Sequence, residues 1–160
     1  MTATQANPFP NDRERHEIWQ MLVERDTDAY LAGDWAAVAG DFVAESFFGI
    51  DAQRRANPDE WRMAFPTLAT YREEWLRQAA ATAGKVDRTA ARAALLAAVT
   101  LIDIEIAGDH ALARKKFNGI LPNLDGSHER LHWQTLYICR RHLGRWKIAS
   151  FVGYLPYEMA

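Results

Sequence analysis

Asp26 is the residue whose setting most suggests chemistry. The segment from Asn11 to Ala32 has helical spacing. With Leu22 at the centre of the wheel, Ile18, Trp19, Asp26, Ala29 and Tyr30 fall on one broad face. A carboxylate among Trp19, Leu22 and Tyr30 would lose hydration, a setting that suits a general base, with Trp19 and Tyr30 contacting a ligand. The competing expectation is an acid at the edge of the stripe that pairs with a nearby Arg or accepts a backbone N–H. A second constellation comes late in the chain. Trp133, Thr135, Tyr137 and Cys139 alternate along one run and face Trp146, Ile148, Ser150, Val152 and Tyr154 on the next. Trp133, Tyr137 and Tyr154 would give a small-molecule pocket apolar walls and hydroxyl donors, or else serve as ordinary core. Trp146 is expected to pack against the first helix instead.

Other chemistries find less support. His128 and His132 share one side of a strand but sit too far apart for easy chelation, so no metal is expected, and His132 is at most a proton shuttle. Asp103, Glu105 and Arg114 read as a cross-strand ion pair, and Arg140, Arg141 and Lys147 as a solvated basic cluster. There is no Gly-rich phosphate loop, no Gly-x-Ser-x-Gly and no Ser/His/Asp arrangement, and no cofactor is expected.

The elements that would position these groups can be read from period and punctuation. Residues 1–10 are polar and Pro-containing and read as a flexible tail. Asn11-Asp12-Arg13-Glu14 looks like a capping box opening a helix that Gly33 ends. Asp34 can cap a short helix closed by Gly40, and Phe42 to Ile50 suits a first strand. Asn57-Pro58-Asp59-Glu60 is a strong helix start, Pro66 interrupts it, and Leu68 to Ala83 is helical up to Gly84. Thr89 to Ala98 favours helix by propensity yet leads directly into a strand. From Leu101 the period is two: Ile102, Ile104 and Ile106 alternate with polar residues up to Gly108-Asp109, which turns the chain so that Asp103 lies across from Arg114. Asn123 to Gly126 is the next turn, and Leu131 to Arg141 with Arg145 to Leu155 forms a second hairpin. Both faces of that hairpin are apolar. Helices can cover only one, and a second subunit is the simplest cover for the other.

Composition bounds the class. The 160 residues suit one domain, here 11–160, and 49% apolar residues suffice for a core. A net charge of −2 gives no electrostatic case for nucleic acid or an acidic membrane surface. Cys139 is the only cysteine, which excludes an intrachain disulfide and a thiolate metal cluster. No run approaches the roughly 20 apolar residues of a membrane helix, and a soluble, cytoplasmic protein is expected.

The order of elements resembles the nuclear-transport-factor-2-like (NTF2-like) superfamily of cystatin-like α+β cones, and within it the SnoaL-like branch. The residues that carry the likeness are the helix with Asp26 through Gly33-Asp34-Trp35, the Phe42 to Phe48 run, the Ile104 to Asp109 hairpin and the Leu131 to Leu155 hairpin with its Gly144-x-Trp146-Lys147-Ile148. The resemblance implies a strongly bent antiparallel sheet wrapped around the N-terminal helices, a cone with an internal pocket, and a homodimer through the convex sheet face. It places Asp51 near the position from which acids project into the cone in isomerase and cyclase branches; as a structural residue Asp51 would instead shape the loop before Arg54 and Arg55. The late strand carries no matching carboxylate, a departure from the acid–base pair of those branches. The activities of the superfamily are diverse, so fold alone selects no reaction.

The leading expectation is a protein that binds a small apolar molecule, cyclic ones included, in the cone. In its enzyme version, cofactor-independent isomerisation, cyclisation, dehydration or hydrolysis, Asp26 or Asp51 moves the proton and Tyr137 or Tyr154 hydrogen-bonds the developing oxyanion. The rival is a non-catalytic ligand-binding or dimerisation module, with its pocket filled by its own aromatics and Asp26 neutralised by an Arg.

Overall fold

The computed structural model describes residues 6–157. The N-terminal helical run is continuous but not uniform. Helix α1 (Arg13–Trp19) passes through a π-helical segment (Gln20–Arg25) into α2 (Asp26–Ala32). Asp12, one residue beyond the expected cap, opens it by accepting the Arg15 N–H at 3.2 Å. Gly33 closes it in the left-handed region at φ 65°, where a Cβ would be strained. Within residues 6–10, Asn7 Nδ2 donates to the His16 carbonyl at 3.1 Å, and Phe9 packs on the core. Residues 1–5 lie outside the described part. Helix α3 (Ala36–Ala39) follows without a side-chain cap from Asp34.

The expected first strand is cut short. Phe42 makes only an isolated parallel bridge to Ile148, residues 44–46 turn outward, and strand β1 spans Phe48–Asp51. The cause is Asp41, a buried carboxylate that Arg25 grips with two 2.8 Å bonds and Arg145 also contacts, so the backbone there is pulled inward. The Asn57 cap is real, with Oδ1 accepting the Asp59 N–H at 3.1 Å, but the helix it opens is one 3-10 turn, Pro58–Glu60. Strand β2 (Arg62–Phe65) then pairs antiparallel with β1, and Pro66 falls in the link to helix α4 (Leu68–Ala83). Helix α5 (Arg88–Ala98), capped by Asp87, resolves the alanine-rich stretch as helix and runs straight into strand β3 (Val99–Ala107).

Strands β4 (His110–Pro122), β5 (His128–His142) and β6 (Arg145–Leu155) complete a six-stranded sheet in the order β2-β1-β6-β5-β4-β3. Every pairing is antiparallel except β1 with β6, which is parallel and makes the sheet mixed. The β3–β4 turn is the expected two-residue one, with Asp103 opposite Arg114. Its ion pairs run diagonally, Arg114 to Glu105 at 2.7 Å and Lys116 to Asp103 at 3.4 Å.

Bulges revise the expected face sets. On β3 a register shift between Thr100 and Asp103 leaves Ile102 exposed while Leu101 and Ile104 are buried. On β6, Ile138 pairs with Ser150 but Cys139 with Ile148, so Ala149 is extra and the inward parity flips. Phe151 and Gly153, expected on the face away from Tyr137, therefore line the inner side, with Phe151 paired to Tyr137, while Val152 joins Leu136 outside. A second shift before Leu155 coincides with Tyr154 at φ 52° and returns its side chain to the inner side. Gly49 on β1 makes room for this, since a Cβ there would stand 2.8 Å from Phe151 Cζ.

The helices cover the inner face. The main core joins Ile18, Trp19, Leu22, Trp35, Trp75, Leu101 and Trp146, and a smaller cluster under α5 joins Leu31, Val86, Ala91, Leu121 and Leu131. Trp146 sits against the first helix as expected, its backbone N–H donating to Glu17 Oε2 at 2.9 Å. The outer face carries Phe48, Leu112, Leu136, Ile138 and Val152, all at least partly exposed.

Candidate functional site

A cavity of about 440 Å³ lies between α2, α4 and the inner face of the sheet. Helix α4 presents Tyr71, Trp75, Gln78 and Thr82 at spacings of four, three and four, one helical face aimed at the cavity. Strand β5 supplies Trp133, Thr135 and Tyr137 at the two-residue period, β4 supplies Lys115 and Phe117, and β6 supplies Phe151, Gly153 and Tyr154. Asp51 and Ile50 from β1 reach the same space. The structure thus brings together Asp26, Asp51, Tyr30, Trp133, Tyr137 and Tyr154 around one cavity. Trp19 is not among its lining residues; it is 2% exposed and belongs to the core. The physical reason is the π-helical segment, which shifts the face downstream of it by about one residue relative to an ideal wheel.

Asp26 has a partner, but not an Arg. Lys115, on a side chain only 3% exposed, places Nζ 3.1 Å from Asp26 Oδ2 and also donates to the Leu22 carbonyl. The Asp26 N–H bonds back to Val23 O, not to Leu22 O as a regular α-helix would require. The ammonium also lies over two ring faces, 5.3 Å from the Phe117 centroid and 5.9 Å from that of Tyr137. A sequence signal for Lys115 existed. Ala111, Ala113, Lys115 and Phe117 share one parity of β4, so the strand that buries two alanines must also bury the lysine.

The hydroxyls are held protonated. Burial, and then the nearby Asp26 charge, push the Tyr137 phenol well above its ordinary value, and the same two causes raise Tyr71. Burial followed by the Asp51 charge raises Tyr154, and burial raises Tyr30, whose hydroxyl lies 2.8 Å from Thr82 Oγ1. These groups are hydrogen-bond donors near neutral pH, not proton acceptors. Trp133 is fixed as wall by stacking on Phe117 at 4.8 Å and by the Arg54 guanidinium 5.6 Å above its ring.

Asp51 stands both in the loop and at the cavity. Its Oδ1 accepts the Gln53 N–H at 2.8 Å, ordering the loop in which Gln53 and Arg54 both have positive φ, and the residue lines the cavity as well. His132 lies on the alternate side of β5 from Trp133, its ring 5.3 Å from that of Tyr157. Among the described residues, no three His, Cys, Asp or Glu side chains are grouped to hold a metal. Cys139 is fully buried, and burial pushes its thiol up to about 12. Iodoacetamide at pH 8 is expected to leave the native thiol unmodified and to alkylate it fully in urea, as read by intact mass. Rapid native alkylation would place Cys139 in an accessible site.

Neither a protein-family model nor a curated protein sequence matches the chain. Solved structures do match. An NTF2-like protein from Shewanella baltica OS155 aligns over 89% of this chain and 94% of its own, at TM-score 0.53 and 12% identity. The fold is that of the NTF2-like proteins. An NTF2-like protein with a cystatin-like fold from Novosphingobium aromaticivorans aligns over 89% of this chain and 82% of its own, at TM-score 0.53 and 16% identity. A second protein of that organism, provisionally named an aromatic ring hydroxylase, aligns over 92% and 91%, also at TM-score 0.53 and 16% identity. At such identities the likeness is one of NTF2-like fold. Among the described residues no helix is long and apolar enough to cross a membrane.

Proposed function

We propose that the protein binds a small, largely apolar, ring-containing molecule in the cavity between α2, α4 and the sheet. One observation carries this reading: a space of about 440 Å³, walled by Phe65, Phe117, Trp133 and Phe151, into which four tyrosines and the Asp26–Lys115 pair also project. Apolar walls with a few convergent polar groups are the usual make-up of a small-molecule site. In the catalytic version, Asp26 or Asp51 accepts a proton from the ligand and Tyr137 or Tyr154 donates to the oxygen that gains charge. No metal or cofactor takes part in that scheme. The provisional name of the Novosphingobium relative is in keeping with an aromatic ligand. A SnoaL-like affiliation, a cytoplasmic site of action and a homodimer through the outer face around Leu136, Ile138 and Val152 complete the proposal.

A non-catalytic carrier is the second reading, and the ion pair favours it: Asp26 is already neutralised, by Lys115. The two share one test of the cavity. Thr82→Phe puts a ring into the space beside Tyr30 and should abolish the thermal stabilisation given by bicyclic aromatic compounds, while the free protein melts within a few degrees of the parent. Stabilisation that survives this substitution places the ligand elsewhere.

A further inference from the structure

Lys115 is the most unusual group facing the cavity. An ammonium has three N–H donors and no acceptor, and Lys115 spends two of them on Leu22 O and Asp26 Oδ2. The third is left beside the rings of Phe117 and Tyr137, both of which line the cavity. A buried donor without an acceptor is unfavourable, and an oxygen on the ligand would relieve it.

The charge of the pair decides which oxygen. Lys115 and Asp26 sum to zero, and the lysine end is nearly without water. A carboxylate ligand would bring an uncompensated negative charge into this space, beside the carboxylate of Asp26. A carbonyl oxygen accepts the same N–H and leaves the balance at zero. We infer that Lys115 is a ligand-binding residue, and that the charge-balanced Asp26–Lys115 pair selects an uncharged ring compound bearing a carbonyl oxygen over its carboxylate counterpart. This rests on the reading of the cavity as a small-molecule site and assigns that site its ligand class. The cavity equals roughly fifteen water volumes, enough for a bicyclic ketone.

Three naphthalenes of similar size separate the terms: 2-acetonaphthone with a carbonyl, 2-naphthoate with a carboxylate, and 2-ethylnaphthalene with neither. Equilibrium dialysis against the full chain gives their affinities. The ketone should bind about 10- to 100-fold more tightly than the hydrocarbon, the range of a hydrogen bond to a charged donor, and more tightly than the carboxylate; a carboxylate that binds as tightly as the ketone overturns the selection. Lys115→Met should bring the ketone to within about threefold of the hydrocarbon while leaving the hydrocarbon itself unchanged. Asp26→Asn acts in the opposite sense: it leaves Lys115 uncompensated, so the carboxylate should gain at least tenfold and overtake the ketone. A purely structural lysine predicts no such inversion. If all three compounds bind equally to the parent, or if Lys115→Met weakens all three alike, the inference is overturned and the cavity reading stands. If none of them binds, both fall.

Discussion

Asp26→Ala is expected to destabilise the protein by about 3–5 kcal/mol, the range for stranding one member of a buried ion pair. The stranded group is Lys115, whose side chain is 3% exposed and would keep only the Leu22 carbonyl as partner. The reverse change should be milder. In Lys115→Met the remaining Asp26 side chain is 37% exposed, so water can hydrate it, and the methionine fills most of the lysine's volume. A loss of about 1–2 kcal/mol is expected there, from the hydrogen bonds that Lys115 makes to Leu22 O and Asp26. The double substitution should be more stable than Asp26→Ala alone, because the ammonium that made that variant costly is gone. Urea titrations of the four proteins give the cycle. Additive losses, or a cost below about 1 kcal/mol for Asp26→Ala, would show that the pair does not hold the floor of the cavity.

Trp35→Ala should lose a comparable amount, about 3–5 kcal/mol, through a different mechanism. Trp35 is 9% exposed and stacks on Phe42 at 5.4 Å, with edge contacts to Trp75 at 5.2 Å and Tyr71 at 6.2 Å. Tyr71 in turn meets Phe47, Phe65 and Phe151, so the ring network ties the loop before β1, helix α4 and strand β6 together. Its loss leaves a void behind Tyr71 and Trp75, two residues of the cavity wall. Both stability and the tightness of ligand binding should therefore fall. Trp35→Phe should retain most of each, since it keeps a ring on Phe42. A drop below about 1 kcal/mol for Trp35→Ala would mean that the network relaxes to close the gap.

Period and punctuation made much of the fold legible. Leu68 to Ala83 has clean helical spacing and a glycine after it, and the Gly108-Asp109 turn fixes its own register, so α4 and the β3–β4 hairpin lie where they were expected. The Phe42 to Ile50 strand is kept only in its last part, Phe48–Asp51; ahead of it Asp41 is held inward by Arg25 and Arg145, partners 16 and 104 residues away, which no local pattern announces. Asn57-Pro58 carried a true cap signal, yet a cap does not set a helix's length, and Arg62 to Phe65 won an edge pairing with β1 instead. The bulge at Ala149 inverted the expected faces of β6, because a period-2 reading has no memory of an inserted residue.

The site was legible to the same degree and for the same reasons. Trp133 and Tyr137 lie on an unbroken stretch of β5 parity and reach the cavity together. Tyr154 arrives there only because two bulges cancel. Trp19 was misplaced by the π-helical segment, which no single residue type in Gln20–Arg25 marks. Gln78 and Thr82 carry no apolar signal, because a cavity-facing helix keeps polar groups on its inner side.

The central claim is that the cavity holds a small molecule, and native mass spectrometry tests it directly. The protein is purified gently from its own cells, and its native mass is compared with the mass after denaturation. The account predicts an excess that leaves on denaturation, and a released compound that is ring-containing, uncharged and carbonyl-bearing. A bare native mass, unchanged when naphthalene ketones are added to the sample, would contradict it.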